Sequence, residues 1–192
     1  MWQEVVDDLG KGDLCIDLGA NVGTITIQLA QTGADVIAFE PDPATFEWMM
    51  TSIGIRRNIK LIQKAVGHKK DRLLVKRSAR LYEDFERFSE ASSLVRNDNK
   101  MDLKNTVEVD VVDLPEFLED LNRDIRLIKM DIEGSEWEIL HALLDHPVLK
   151  RIDCIFVETH EWMDPKKNMP RAALLQEKAE KLDHPYINLF WH

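Results

Sequence analysis

The chain has 192 residues, with 25 Lys and Arg against 35 Asp and Glu, for a formal charge of −10. A chain of this length fits one domain over residues 1–192 that buries its own core without a disulfide or metal scaffold. The acidic balance, the short apolar runs and the absence of an apolar stretch in Met1–Asp13 predict a cytoplasmic protein with no nucleic-acid or membrane partner.

The predicted elements alternate between strand and helix. Leu14–Ile16 is a short strand, and Thr24–Gln31 a helix stopped by Gly33. Val36–Phe39 is a second strand, ended by Glu40 and the Pro41-Asp42-Pro43 break. A helix over 44–53 precedes a third strand at Ile59–Ile62, closed by Ala65-Val66-Gly67. Residues 68–105 are polar and weakly periodic, with Leu73–Val75 and then Thr106–Val111 as strands. This segment reads as a hairpin or loop insertion over the ends of the main strands, with too little apolar content for a core of its own.

Alternation then resumes. Asp113 caps a helix to about Asn122, with Glu116 three residues on. Ile125–Met130 is a strand ended by Asp131, and a helix opens at Gly134-Ser135 with Trp137, Leu140, Leu143 and Leu144 on its core face. Ile152–Val157 is a strand ended by Glu158. A helix over 171–182 and a strand over 187–191 complete the chain. Repeated strand–helix–strand units make this an α/β fold: a mostly parallel sheet with helices on both faces. Ligands of such sheets sit at the carboxyl ends of the strands. Asp17, Glu40, Asp131 and Glu158 all fall there.

Asp17-x-Gly19-x-Asn21-x-Gly23 lies between a strand and a helix, and Glu40 follows 21 residues after Gly19. Glycine lets the backbone turn tightly and approach a ligand, and the later carboxylate can accept from both hydroxyls of a ribose. Dinucleotide enzymes use G-x-G-x-x-G, with a pyrophosphate at the helix start. The G-x-N-x-G spacing and the preceding carboxylate suit S-adenosylmethionine instead, which carries an ammonium and a sulfonium and no phosphate.

At these residues the chain resembles the FkbM family of class I S-adenosylmethionine-dependent methyltransferases. The matching stretches are Gly12–Gly23, Ala38–Pro43, Ser92–Leu94, Val111–Leu114, Leu127–Glu136 and Phe156–Glu158, in the family's order over about 12–160. The resemblance implies a Rossmann-like class I sheet of seven strands, ordered 3-2-1-4-5-7-6, with the seventh antiparallel. The C-terminus is short for that pattern, with one strand where the family has a hairpin. It also implies that Asp17, Gly19, Asn21 and Gly23 cradle the methionine part of the cofactor, that Glu40 holds the ribose, with Pro41 a further cofactor contact, and that Ala65 and Val66 lie near the adenine. The implied reaction is O-methylation of a sugar or natural-product hydroxyl, with S-adenosylhomocysteine as product. The family's strand order sets one strand between Cys15 and Cys154, leaving two buried free thiols.

Methyl transfer from a sulfonium is an in-line displacement, so the protein chiefly aligns acceptor, methyl and sulfur. A positioned base adds roughly 10²–10⁴-fold. Asp131 and Glu133 are the preferred catalytic or orienting pair, followed by His160. Asp131 and Glu158 should end neighbouring strands about 5 Å apart. Ser93 and Glu158 are candidate substrate contacts. No metal is expected, although Asp131, Glu158 and His160 could together hold a divalent cation. Trp162, Met163 and Trp191 read first as core and second as acceptor-pocket lining, and Lys166-Lys167 as loop charges. The partner is a small-molecule or glycan acceptor, with a second subunit able to complete its site. An NAD-linked oxidoreductase and a non-catalytic S-adenosylmethionine-binding module are the alternatives.

Overall fold

The computed structural model describes residues 1–78 and 101–191. The chain opens with helix α1 (Trp2–Asp7), which the sequence reading does not include. There follow β1 (Leu14–Leu18), α2 (Thr24–Gln31), β2 (Asp35–Phe39), α3 (Pro43–Ile53) and β3 (Ile59–Ile62). Next come β4 (Ala65–Gly67), β5 (Asp71–Ser78), β6 (Met101–Asp113), α4 (Leu114–Leu121), β7 (Ile125–Met130) and α5 (Glu136–Leu144). The last elements are β8 (Ile152–Val157), α6 (Pro165–Ala179) and β9 (Tyr186–Asn188).

Six strands form one sheet in the order β3-β2-β1-β7-β8-β9, and each pairing is parallel. This is the Rossmann-like class I layout, with strand order reversing between β1 and β7. The expected antiparallel seventh strand is not among the described residues. Instead α6 carries the chain back to the starting end of the sheet, so β9 runs parallel beside β8. The antiparallel contact at this edge is an isolated bridge between Glu158 and Phe190.

Side-chain alternation assigns the two faces. Leu14, Ile16 and Leu18 of β1 point to a core shared with Leu118 of α4, Trp137 and Leu140 of α5, and Leu175 of α6. Cys15 points the other way, into a core with Val6 of α1 and Leu29 of α2, while α3 covers the β2 end through Phe46, Met49 and Ile53. Cys15 and Cys154 share that second core at register positions either side of Leu127. Both are free, and burial first of all pushes their thiols up, to about 12 and about 11.

The middle segment is a second sheet, ordered β4-β6-β5, with β5 and β6 antiparallel. The Ala65-Val66-Gly67 run is thus a strand of this sheet and not the end of β3. The expected hairpin is present, and it has a small apolar cluster of its own: Ala65, Val75, Val109 and Val111. Residues 79–100, including Ser92 and Ser93, lie outside the described residues.

Local chemistry sets the helix ends. Asp42 caps α3 by accepting from Ala44 and Thr45 N–H at 2.8 and 3.1 Å, with Pro43 in the first turn. Asp113 caps α4 by accepting from the Glu116 N–H at 3.1 Å. α6 starts six residues before the expected position. Asp164 and Pro165 supply a cap and a first turn there, and Pro170 is tolerated inside the helix. Lys166 and Lys167 are therefore exposed first-turn residues of α6 rather than loop charges.

Candidate active site

The loop after β1 and the loop after β7 meet at the carboxyl end of the sheet. Gly19 has φ +75°, and a Cβ there would lie 1.8 Å from the Asp131 carbonyl oxygen. Its N–H and that of Ala20 donate to the Phe39 carbonyl at 3.1 and 2.9 Å. Asn21 also takes a left-handed conformation, φ +51°, which aims its N–H at Glu40 Oε2, 3.1 Å away. The other Glu40 oxygen accepts from the Asp42 N–H at 2.9 Å. Burial pushes the Glu40 carboxyl up to about 7, and these two N–H donors only partly offset that.

A cleft of about 680 Å3, open solvent included, runs along this rim. Of the residues expected to hold the cofactor, Gly19, Asn21, Glu40, Pro41, Ala65 and Val66 line it, and so do Asp131 and Glu133. Val75 of β5 lines the same wall as Ala65 and Val66. Asn21 Oδ1 is buried with no hydrogen-bond partner among the described residues. That orphaned acceptor suits a cationic donor such as the ammonium of S-adenosylmethionine.

Asp17 and Gly23 do not line the cleft. Alternation along β1 turns Asp17 toward α2, where Thr26 Oγ1 donates to Oδ2 at 2.6 Å. Lys129, the register partner of Asp17 on β7, sets its ammonium 3.4 Å from Oδ1. Asp17 thus reaches the rim only through Lys129, which donates to the Gly19 carbonyl at 2.8 Å and lies 3.6 Å from Asp131 Oδ2. Gly23 is the left-handed residue before α2, and a Cβ there would meet Ile53 at 2.8 Å.

The loop after β7 carries a second cluster. Glu133 has φ +58° and Gly134 φ +103°, so the chain turns sharply before α5. Glu136, fully buried, holds that turn: its Oε1 accepts from Ile132 N–H at 3.0 Å and Gly134 N–H at 3.1 Å. The same oxygen lies 3.0 Å from His160 Nδ1. His160 is buried, and its Nε2 faces Glu133 Oε2 at 3.6 Å and Asp131 Oδ1 at 3.8 Å. Burial disfavours the imidazolium, but Glu136, Glu133 and Asp131 outweigh it and raise the group to about 9.

Glu158 follows β8 opposite Asp131, as its neighbouring strand requires, yet it does not line the cleft. Its N–H donates to the Met130 carbonyl at 2.9 Å, and its residue bridges to Phe190. Trp162 is 60% exposed, so its expected core role is not met; its ring lies 6.1 Å from that of His160. Trp191 does pack inward, against Trp2 at 4.9 Å. The Met163 side chain lies outside the described residues.

Lys129 and Glu136 are the participants that sequence reasoning missed. The signal for Lys129 was a lysine in step with Leu127 on the apolar face of a central strand. The signal for Glu136 was a third carboxylate in Asp131-x-Glu133-x-x-Glu136, placed in the first turn of a helix.

A family model described as the methyltransferase FkbM domain matches residues 17–185. The chain belongs to this family. FkbM proteins are S-adenosylmethionine-dependent methyltransferases. Fourteen chains of known structure match as well. One, described as an S-adenosylmethionine dependent methyltransferase from Listeria monocytogenes, is 22% identical with TM-score 0.29, over 33% of this chain and 31% of its own. Precorrin-6y C5,15-methyltransferase from Geobacter metallireducens is 14% identical with TM-score 0.46, over 91% of this chain and 69% of its own. Precorrin 8w decarboxylase from Methanobacterium thermoautotrophicum is 17% identical with TM-score 0.40, over 76% and 54%. This FkbM chain thus spans about a third of the Listeria protein. No curated protein matches it. Among the described residues, no helix is long and apolar enough to cross a membrane.

Proposed function

We propose that the chain, as one methyltransferase domain over residues 1–192, transfers a methyl group from S-adenosylmethionine to a hydroxyl of a small carbohydrate-like or natural-product acceptor. The observation that carries this reading is the charge of the cleft. Glu40, Asp42, Asp131 and Glu133 line it, with Lys64 as the one basic residue among its described lining residues. Four carboxylates repel a pyrophosphate but suit a sulfonium and an ammonium, which weighs against the NAD alternative.

In this reading Glu40 accepts from the ribose hydroxyls, and Asn21 Oδ1 accepts from the ammonium. Ala65, Val66 and Val75 form the apolar wall for the adenine. When bound, S-adenosylmethionine supplies the activated methyl group. The chain's own residues bind and align the acceptor, and Asp131, Glu133 and His160 handle its hydroxyl. Trp162, exposed beside His160, offers a flat apolar face of the kind that stacks on a sugar ring. The intact acceptor cluster favours an enzyme over a binding module.

Thermal-shift titration with S-adenosylhomocysteine, S-adenosylmethionine and NAD tests the cofactor. The sulfur ligands should raise the midpoint, NAD should not, and Glu40→Ala should remove the rise. No shift with either sulfur ligand overturns the reading. A screen of sugar and small-molecule hydroxyl acceptors for S-adenosylhomocysteine release then tests the acceptor class.

A further inference from the structure

We infer that Asp131, Glu133 and His160 form a binding site for one divalent metal ion of the Mn2+ or Zn2+ type. The ion would add to the methyltransferase reading, which stands without it. One donor atom from each of the three residues lies within 4.8 Å of the others. His160 Nε2 is 3.6 Å from Glu133 Oε2 and 3.8 Å from Asp131 Oδ1. Those gaps exceed the usual hydrogen-bond range of about 2.7–3.2 Å. They approach the spacing of roughly 3–3.6 Å that two donors take up around one ion held at about 2.1 Å.

The second observation is the orientation of the histidine. Its side chain is 96% buried, since 4% remains exposed, and Nδ1 is pinned to Glu136 Oε1 at 3.0 Å. Nε2 is thereby aimed at the two carboxylates and makes no hydrogen bond among the described residues. A carboxylate behind a histidine is the arrangement that fixes a metal-ligating imidazole. Glu136 is in turn immobilised by the Ile132 and Gly134 N–H groups.

The buried ammonium of Lys129 lies between Asp17 Oδ1 at 3.4 Å and Asp131 Oδ2 at 3.6 Å. Lys129 engages Asp131 through Oδ2, which leaves Oδ1 to the cluster. Two oxygens and one imidazole nitrogen suit Mn2+ or Zn2+ better than Ca2+, which takes six to eight oxygens. Asp131 and Glu133 also line the cleft, so an ion there would keep positions open toward an acceptor oxygen. In this proposal Glu133 takes the place of Glu158 beside Asp131 and His160.

The test uses the full chain, stripped with a chelator and dialysed, then titrated with MnCl2 while free Mn2+ is read by electron paramagnetic resonance. One saturable ion per chain is expected. Asp131→Asn and Glu133→Gln should each weaken binding at least about tenfold, and Glu136→Gln about 10–100-fold. Glu47→Gln, at an exposed carboxylate on α3, should leave it unchanged. Circular dichroism and S-adenosylhomocysteine binding run in parallel for every variant; should Asp131→Asn unfold, Glu133→Gln decides. Absence of saturable binding up to millimolar Mn2+, or binding indifferent to both carboxylate variants, overturns the site. S-adenosylhomocysteine binding without Mn2+ binding removes the ion and leaves the methyltransferase reading, whereas loss of the former removes that reading.

Discussion

Asp17 and Lys129 face each other at register positions on β1 and β7, with their charges 3.4 Å apart and their side chains 0% and 4% exposed. The pair lies at the reversal of strand order, under the point where the two site loops meet. Burial by itself disfavours the Lys129 ammonium, but Asp17 and Asp131 outweigh it and hold the group above its ordinary value. Thr26 and the Gly19 carbonyl take up further hydrogen bonds of the pair.

Removing one partner should therefore cost far more than an exposed ion pair would. Lys129→Met leaves Asp17 buried and uncompensated, for an expected loss of about 3–5 kcal/mol. Urea denaturation measures it. The double variant Asp17→Asn with Lys129→Met should recover part of that loss. Equal stability of wild type and Lys129→Met would show that the pair is not a stabilising unit.

Gly19→Ala should disrupt cofactor binding more than any other small change in the loop. The added methyl would sit 1.8 Å from a backbone oxygen, at a φ of +75° that L residues rarely take. Neither Asp131 O nor Gly19 can move away without parting the loops. S-adenosylhomocysteine binding should fall at least tenfold, as read by calorimetry. Unchanged affinity would mean that the two loops are not held in this contact.

Glu40 gives the site a pH dependence whose sign follows from its raised value. Its folded-state value of about 7 lies above the ordinary 4.5, so its contribution to stability is complete below about 4.5 and is lost as pH rises through about 7. Cofactor binding runs the opposite way, because ribose hydroxyls donate best to the ionised carboxylate. The dissociation constant of S-adenosylhomocysteine should fall with rising pH, about tenfold per unit, and level off above 7. Glu40→Gln should flatten the profile. A flat wild-type profile from pH 5.5 to 8.5 would contradict the assignment.

Trp162→Ala should separate acceptor from cofactor. The side chain is 60% exposed, so stability should change by no more than about 0.5 kcal/mol. S-adenosylhomocysteine affinity should stay the same. KM for a carbohydrate-like acceptor should rise about five- to tenfold, as the loss of about 1 kcal/mol of ring contact predicts. An unchanged KM would place the acceptor elsewhere.

Strand and helix order was legible because each buried strand is a compact apolar run with a glycine or carboxylate at its end. The glycine loop and Glu40 were legible too, since the backbone turn and a strand-end carboxylate are local features. What local patterning does not carry is the direction of a buried charge. Asp17 sits on the face of β1 that meets α2, and only pairing with β7 reveals Lys129 as its partner. The direction of β9 was likewise unreadable, because it depends on where α6 returns the chain and not on the strand's own residues. Glu136 was hidden by its resemblance to an ordinary acidic first turn, although its partner His160 lies 24 residues away.

Val75 gives the cleft a mechanical meaning. It belongs to β5 of the smaller sheet, yet it lines the same cleft as the loops of the larger one. A ligand filling the cleft touches both sheets at once, so it acts as a rivet between two layers that are otherwise hydrogen-bonded separately. Filling it should slow amide exchange along β5 and β6 as well as in the glycine loop. Val75 would then carry the effect of a ligand in the cleft into the smaller sheet.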